Sequence, residues 1–458
     1  MCELRTTTDR CQKMIYEYPG DAAEIESKLC GRKVLYDREL LRSISEIFDR
    51  VAVQTDDAVF RLTEEHDGVR VVALRISEEH IQRCCTETPE SLRAAITKAR
   101  NNIEEVNKRF LPETEEIVEL SAGRKVGERI RPLESVALWV PARKGPLIST
   151  ALMLVCAAKV AGVQRICVGM PPDEKGRANA ATVAASKIAG AHEVYIGNGV
   201  GLIAGFTMGT QTIPEVDGIF GPGPGAIAAA MSIAYSYGKR TVLGIGPTDS
   251  AILCDETADP HLLACDLINE AEHGADSSAI LVTTSPRVAQ QTEEELEGLV
   301  SAFGDHARKE ILQEVFSESG YGAIVLCGGF HDAIELVNHF APEHLMIQCR
   351  NYKQVASGIT NAAEILIGKY TPFSAANYAI GVTAVLPTNG YARRVSGVTA
   401  RDMVKVSTTA ELTKEALAEL LPTIEEIGKW ETLPGHVMAA RKRLVDEETR
   451  RGAISQLD

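Results

Sequence analysis

The fold is indicated first by residues Ser135 to Gly162, which read SVALWVPARKGPLISTALMLVCAAKVAG. This stretch opens with a short β-rich apolar run, SVALWVP, and continues into an Ala-rich run that is long enough for a helix. A strand followed directly by a helix is the unit from which helix-covered parallel sheets are built. The stretch therefore predicts an α/β protein.

The same alternation of strand-like and helix-like runs continues downstream. RICVGMPP precedes ANAATVAASKIAGA, and EVYIGN precedes LIAGFTMG. The alternation restarts with a second series of runs, in chain order TVLGIGP, SAILCD, HLLACDLINEAEHG, AILVTT, GAIVLCGGF, HDAIELVNHF and HLMIQC. We interpret this as two Rossmann-like parallel-sheet units, one at about 130–245 and one at about 246–385.

The flanking regions have helical periodicity instead. Runs such as LLRSISEIFDRVAVQ, before the first unit, carry apolar residues at helical spacing with charges between them. The segment after Pro387 contains strong helix formers and is interrupted at Pro422 and Pro434. We place the boundaries at a helical N-terminal region 1–125, α/β domains 126–245 and 246–390, and an extended helical tail 391–458.

Composition narrows the class of protein. The chain has 458 residues of which 45% are hydrophobic, enough for two or more domains, and its formal net charge of -15 argues against binding to nucleic acid or to an anionic membrane. No apolar run reaches the roughly 18 residues that span a bilayer, and the N-terminus has no signal-peptide pattern. The 11 Cys are odd in number and include no CxxC pair, which favours reduced thiols in a cytoplasmic protein.

Four short segments could carry chemistry, and each also has an ordinary structural explanation. The Gly-rich loop FGPGPGAIAAAM, residues 220–231, could place backbone N–H groups against an anion or be a tight turn. Glu270 and His273 are spaced to share one helix face, as metal ligands or as a solvated pair. Glu343 and His344 could transfer protons or lie in a plain loop, and His436 follows Pro–Gly at a helix start.

Together, the motifs resemble those of the histidinol dehydrogenase family from about residue 35 to about 445. They are VPARKGPLISTALM, IFGPG, GPTD, AEHGADS, PEHL, VLPTNGY and the Gly–His near the C-terminus. The resemblance implies a homodimer that oxidises an amino alcohol through an aldehyde, passing two hydrides in succession to NAD. It also implies one zinc ion per subunit, bound at positions Glu270, His273, Asn377 and, from the partner's tail, His436.

Two of these ligand positions differ from the family pattern. A Gln of the family is here Glu270, and an Asp of the family is here Asn377. The ligand set thus still contains one carboxylate and one amide, so its formal charge is unchanged and every donor remains an O or N atom suited to zinc. We interpret the pair of changes as a rearranged metal site, the alternative being a lost one. The catalytic positions are intact: by resemblance His344 is the general base on the alcohol and Glu343 helps water add to the aldehyde.

The resemblance also assigns residues around the substrate and the cofactor. Substrate positions are Ser149, Thr248, Tyr378 and Glu431, and the PARK turn places Arg143 and Lys144 near the substrate entrance. Ala384 replaces a family His that contacts substrate. Trp139 replaces a tyrosine near the nicotinamide, and Gly201 and Pro224 replace two amide side chains that contact the cofactor. The first α/β domain is therefore the cofactor side, the second carries the metal and catalytic residues, and the tail is exchanged between subunits.

These assignments imply a zinc-dependent, NAD-linked dehydrogenase that oxidises a small polar alcohol through an aldehyde to a carboxylate. Ala384 predicts poor turnover of histidinol itself. One alternative is another anionic alcohol, because GPTDS resembles the sulfopropanediol dehydrogenases locally and Arg143 or Lys144 could meet the anion. A second is a metal enzyme of this fold that no longer uses NAD, and a third is a non-catalytic paralogue, against which the intact Glu343–His344 pair argues.

Overall fold

The structure, a computed structural model, describes residues 14–30, 36–142, 145–223, 225–383 and 385–445. Two compact units divide the chain. The larger takes in the described residues of Met1–Leu111 and Leu133–Met403, and the smaller those of Pro112–Pro132 and Val404–Asp458.

Strands occur in both units. In chain order, the strands of the described residues are β1 (Ile15–Tyr18), β2 (Glu115–Ser121), β3 (Arg124–Pro132), β4 (Ser135–Trp139), β5 (Arg165–Met170), β6 (Glu193–Ile196), β7 (Gly218–Phe220), β8 (Asp249–Cys254), β9 (Ser278–Thr283), β10 (Ala323–Cys327), β11 (His344–Gln348), β12 (Glu364–Ile367) and β13 (Val404–Leu412).

Helices cover the sheets and form most of the flanking regions. Those of the described residues are α1 (Ala22–Ile25), α2 (Arg38–Gln54), α3 (Asp56–Asp67), α4 (Glu78–Glu87), α5 (Glu90–Phe110), α6 (Ile148–Ala161), α7 (Ala180–Ala189), α8 (Gly199–Met208), α9 (Gly225–Ser236), α10 (Pro260–Ala271), α11 (Pro286–Ala302), α12 (His306–Val315), α13 (Phe330–Phe340), α14 (Tyr352–Gly358), α15 (Phe373–Ala375), α16 (Lys414–Trp430) and α17 (Pro434–Leu444).

The larger unit contains two parallel sheets, as the alternation predicted. The first has the order β6-β5-β4-β7 and the second the order β1-β10-β9-β8-β11-β12. Every residue of β8, β9 and β11 is buried, because helices cover both faces of a parallel sheet, and the middle of each strand is accordingly apolar. The α/β fold class is confirmed.

The crossover helix α10 carries the chain from the carboxyl end of β8 back to the amino end of the sheet. It begins at an N-cap, Asp259, whose carboxylate accepts from the backbone N–H of His261 at 3.1 Å, and Pro260 occupies the first helical position. Because the helix runs antiparallel to β8, its last turn lies at the edge of the sheet where β8 and β11 begin. Glu270 is in that last turn.

Several strands were not predicted. β1 comes from the N-terminal region that we expected to be helical, and it joins the edge of the six-stranded sheet beside β10. β2, β3 and β13 form an antiparallel sheet in the smaller unit, in the order β13-β3-β2. All seven residues of β2 are exposed, so its side chains leave no buried apolar face for a sequence pattern to reveal.

One predicted strand, TVLGIGP, is an irregular segment instead. Gly244 has a φ of 86°, in the left-handed region, and a Cβ there would lie 2.4 Å from the Tyr391 ring. Its carbonyl accepts from the backbone N–H of Thr388 at 2.8 Å. The segment therefore follows the packing of the VLPTNGY motif and does not join a sheet. Separately, none of the described helices combines the length and apolar character needed to cross a bilayer.

Candidate active site

The first residues of three neighbouring strands form a cluster of buried polar side chains. Asp249 opens β8, His344 opens β11 directly after Glu343, and Glu364 opens β12. In the parallel register His344 aligns with Ser250 on one side and with Glu364 on the other. Asp249, Glu343, His344 and Glu364 are each at most 9% exposed. The cluster therefore lies at the amino edge of the six-stranded sheet.

The chain reaches this edge through a strained turn. Helix α13 is followed by its C-cap residue Ala341, which has a φ of 53° although it carries a Cβ. Left-handed backbone is costly for an L-residue other than Gly, Asn or Asp. This residue and the following Pro342 reverse the chain so that Glu343 and His344 enter the sheet facing the start of β8.

His344 is held at one nitrogen and open at the other. Its Nδ1 lies 2.7 Å from Oε2 of Glu364, a hydrogen bond, whereas its Nε2 lies 3.7 Å from Oε1 of Glu343 and 4.0 Å from Oε2 of Glu270. The Phe373 ring packs edge-on against the imidazole with centroids 5.9 Å apart. Nε2 is thus the nitrogen that can serve a reacting group.

Glu343 is fixed by a reciprocal pair of hydrogen bonds. Its backbone N–H donates to Oδ1 of Asp249 at 2.6 Å, and the Asp249 N–H donates to Oε2 of Glu343 at 3.3 Å. Asp249 also accepts from the backbone N–H of Asn389. The motifs GPTD, PEHL and VLPTNGY, which are far apart in sequence, therefore meet at one carboxylate.

The cluster has more carboxyl groups than cations. Burial raises the pKa of Glu343 well above its ordinary value. His344 lowers this pKa, and the nearby Asp249 and Glu270 carboxylates raise it. Burial lowers the pKa of His344, but Glu343, Glu270 and Glu364 outweigh it and raise that pKa to about 10. Three carboxyls surround one imidazole, and a divalent cation bound beside them would neutralise this buried negative charge, lower the His344 pKa and so leave Nε2 without its proton.

Glu270 is the predicted metal ligand that the structure places in this cluster. It is fully buried, and its Oε1 accepts from Nδ2 of Asn269 at 2.7 Å. Its Oε2 is buried and has no hydrogen-bond partner among the described residues. An unsatisfied buried carboxylate oxygen is costly, so this atom fits the role of a cation ligand.

The other three predicted ligands, His273, Asn377 and His436, are more exposed than Glu270 in the single chain. His273 is exposed in the turn after α10, and its backbone N–H donates to the Glu270 carbonyl at 3.4 Å. Asn377 is half-buried in a single π-helical turn, Ala376–Ile380, which directly follows the segment that carries Phe373. His436 is exposed in the first turn of α17, in the smaller unit.

A second group of potential ligands involves none of the predicted positions. Donor atoms of Glu26, Cys30 and His339 lie within 4.8 Å of one another. Nε2 of His339 is already hydrogen-bonded to the Glu26 carboxylate, and that contact accounts for the closeness of these two residues without a metal.

Trp139, one of the predicted cofactor residues, lies in the first sheet. The strand order reverses between β4 and β7, and Trp139 and Phe220 end these two strands. The carboxyl ends of strands at such a reversal form the crevice where α/β folds bind nucleotides. Nε1 of Trp139 is buried and has no partner within the described chain, which leaves an N–H donor for a ligand.

Glycines bring the loop after β7 close to Trp139. Gly221 has a φ of 154°, and a Cβ there would lie 2.3 Å from the Trp139 carbonyl oxygen. Gly201, by contrast, has a structural role, because its N–H donates to Oδ1 of Asn198, the cap of α8, at 3.2 Å and it packs against Leu62. Pro224 lies outside the described residues.

The predicted substrate residues are distributed over several elements. Thr248 directly precedes Asp249 and is half-buried, and Ser149 is in the first turn of α6, which follows β4. Tyr378 is 64% exposed beside Asn377. Glu431 is exposed at the end of α16, in the smaller unit. Arg143, Lys144 and Ala384 lie outside the described residues.

Two cluster residues, Asp249 and Glu364, were not singled out from the sequence. Each is the first residue of an apolar run, DSAILC and EILI. An acidic residue that heads a buried strand is the signal that could have found them, because burying a carboxylate requires a partner.

The geometry defines a class of protein: an α/β fold with a strand-order reversal on one sheet, a position where such folds commonly bind ligands, and a buried cluster of one imidazole and several carboxyl groups on the other. Comparison with known proteins agrees. The family described as "Histidinol dehydrogenase" matches residues 31–444. Histidinol dehydrogenase of Synechocystis sp. is 37% identical over 418 residues, covering 88% of this chain and 93% of the relative. That of Bacteroides thetaiotaomicron is 33% identical over 432 residues, covering 94% and 98%.

A solved structure gives the same result. The crystal structure of histidinol dehydrogenase from Elizabethkingia anophelis superimposes with a TM-score of 0.89 at 31% identity, covering 95% of this chain and 99% of that one. The chain belongs to the histidinol dehydrogenase family, a family of NAD-dependent oxidoreductases.

Proposed function

We propose that this protein is a zinc-dependent, NAD-linked dehydrogenase that oxidises a small polar alcohol through an aldehyde to a carboxylate. The observation that carries the proposal is the buried cluster at the amino edge of the second sheet. There Nε2 of His344 lies 3.7 Å from Glu343 and 4.0 Å from Glu270. A proton acceptor (His344), a carboxyl group beside it (Glu343) and a candidate cation ligand (Glu270) thus lie close together.

The chain's own groups would move the protons. His344 accepts the hydroxyl proton of the alcohol at Nε2, since Nδ1 is engaged by Glu364. Glu343, oriented by Asp249, takes the proton from the water that adds to the aldehyde. Burial of both side chains excludes bulk water from the reacting groups.

Glu270, His273, Asn377 and a His436 contributed by a second copy of the chain would bind the metal. Trp139 and the Gly-rich loop would line the nicotinamide pocket. When bound, NAD would supply the hydride acceptor, and a divalent metal would supply positive charge beside the substrate oxygen. The unpartnered Oε2 of Glu270 and Nε1 of Trp139 support these two assignments.

A homodimer would complete the site. In the smaller unit the side chains of Ile427, Trp430 and Met438 are 54%, 79% and 58% exposed. Large apolar side chains that stay exposed in a single chain are typical of surfaces that pack in an assembly. This supports a tail exchanged between two subunits.

The test is NAD reduction with a panel of alcohols, with and without added zinc. The panel contains histidinol, neutral amino alcohols, and alcohols with a sulfonate or carboxylate group. We expect zinc-dependent turnover of at least one member, with histidinol a poor substrate because of Ala384. No NAD reduction by any alcohol, together with no NAD binding in calorimetry, would overturn the proposal.

A further inference from the structure

We infer that Glu364 is a positioning residue, which holds His344 with Nδ1 protonated and thereby keeps the Nε2 lone pair directed at the reacting atoms. The inference rests on the proposed function of His344 as a base. It goes further because it names the group that sets the imidazole tautomer and orientation.

Glu364 and His344 are register partners on adjacent parallel strands, so their side chains emerge on the same face of the sheet. The Nδ1–Oε2 distance is 2.7 Å, which is within the range of charge-assisted hydrogen bonds. Both side chains are buried, at 7% and 4% exposure, so water does not compete for this contact.

The Oε1 atom of Glu364 is buried and has no hydrogen-bond partner among the described residues. Asp249, in the same cluster, instead accepts two backbone N–H groups. A carboxylate kept for stability alone would be expected to satisfy both oxygens, because an unpaired buried acceptor is unfavourable. The contact that accounts for Glu364 is the one with His344.

In a neutral imidazole one nitrogen donates and the other accepts, and the hydrogen bond at one nitrogen fixes the role of the other. A carboxylate cannot donate when ionised, so Glu364 selects the ring form that carries hydrogen on Nδ1. Nε2 then has its lone pair on the side of Glu343 and Glu270, where a substrate hydroxyl would be deprotonated. Without this restraint the ring can flip or exchange tautomers.

The test compares Glu364→Gln, Glu364→Ala and the matched control Ile365→Val, which changes the next residue of β12, a partly exposed one. The first readout is the Nδ1–H proton signal of His344 in the NMR spectrum of protein with ¹⁵N-labelled histidine, assigned by its absence in His344→Gln. We expect a strongly downfield signal in wild type and in the control. It should move upfield in Glu364→Gln, whose amide oxygen is a weaker acceptor, and disappear in Glu364→Ala.

The second readout is turnover. We expect kcat to fall in the order wild type, Glu364→Gln, Glu364→Ala, by about tenfold to a hundredfold overall, with KM for the alcohol changing much less. An unchanged Nδ1–H signal in Glu364→Gln, which is nearly isosteric, would overturn the inference. So would equal kcat in wild type and Glu364→Ala. The NMR readout needs no substrate, metal or cofactor. A wild type without dehydrogenase activity would therefore refute the proposed function, whereas the NMR signal would still test whether Glu364 positions His344.

Discussion

At the scale of single residues, His344 is the group on which proton transfer depends in the proposed function. We expect His344→Gln to lower kcat by about 10²- to 10⁴-fold, since that is the usual contribution of a positioned general base, while the KM for the alcohol changes little. Steady-state kinetics on the best alcohol of the panel would measure this. The matched control is His331→Gln, at an exposed position of α13, which should retain full activity. A His344→Gln enzyme with wild-type kcat would exclude His344 as the base.

The proposed metal ligands, Glu270 and Asn377 among them, lead to a second prediction at this scale. Glu270→Gln removes the ligand set's only carboxylate, Asn377→Asp alone adds a second, and both together restore the arrangement of the family. We expect the double variant to retain more metal after dialysis than Glu270→Gln alone, a non-additive result typical of groups in one coordination shell. Metal content per subunit measures it. If Glu270→Gln keeps its metal, Glu270 is not a ligand.

How far the sequence predicts the cluster depends on how its residues are brought together. Glu343 and His344 are adjacent, and their motif made them visible. Asp249 and Glu364 reach the same point only through strand register, with Asp249 lying 94 positions from Glu343 and Glu364 lying 20 from His344. Sequence spacing within one element cannot reveal partners that a parallel sheet aligns across strands.

At the scale of elements, the close approach of the loop after β7 to Trp139 requires a glycine at position 221. We expect Gly221→Ala to weaken NAD binding, because a methyl group would lie 2.3 Å from the Trp139 carbonyl oxygen and the φ of 154° disfavours any side chain. Calorimetric titration with NAD would measure the loss. Gly304→Ala is the control, since a Cβ there meets nothing within 4 Å and its φ is not in the left-handed range. Equal affinity in both variants would place the cofactor elsewhere.

Helix α10 gives a stability prediction. Asp259→Ala removes the N-cap, which should lower the free energy of unfolding by about 1 kcal/mol. Chemical denaturation would measure it. Glu270 is at the opposite end of the helix, so metal content should stay at the wild-type level, and a large loss of metal would show that the ligand position depends on the whole helix.

The sequence predicts elements well where burial imposes a pattern and poorly where it does not. The apolar runs of β8, β9 and β11 were identified because both faces of these strands are covered. The hairpin of β2 and β3 and the strand β13 lack such a pattern, since most of their residues are not buried. Their antiparallel pairing is set by the backbone and by the Gly123 turn between β2 and β3.

At the scale of the whole molecule, the proposed exchange of tails links metal binding to dimerisation. We expect His436→Ala to lower metal content per subunit while light scattering still reports a dimer, because one ligand is lost but the apolar contacts of α16 and α17 remain. Dilution of the wild type below the dimer dissociation constant should also release metal. A monomer with full metal content and full activity would contradict the exchange.

In the proposed function, one buried cluster converts an alcohol through an aldehyde to a carboxylate. That conversion is a four-electron oxidation, so it must reduce two NAD molecules for each alcohol consumed. The most direct measurement counts both in the same reaction, with the zinc-loaded wild type and His344→Gln side by side. We expect a ratio of two for the wild type and negligible NAD reduction by the variant. Alcohol consumed without any NAD reduction, or a His344→Gln enzyme as active as wild type, would contradict it.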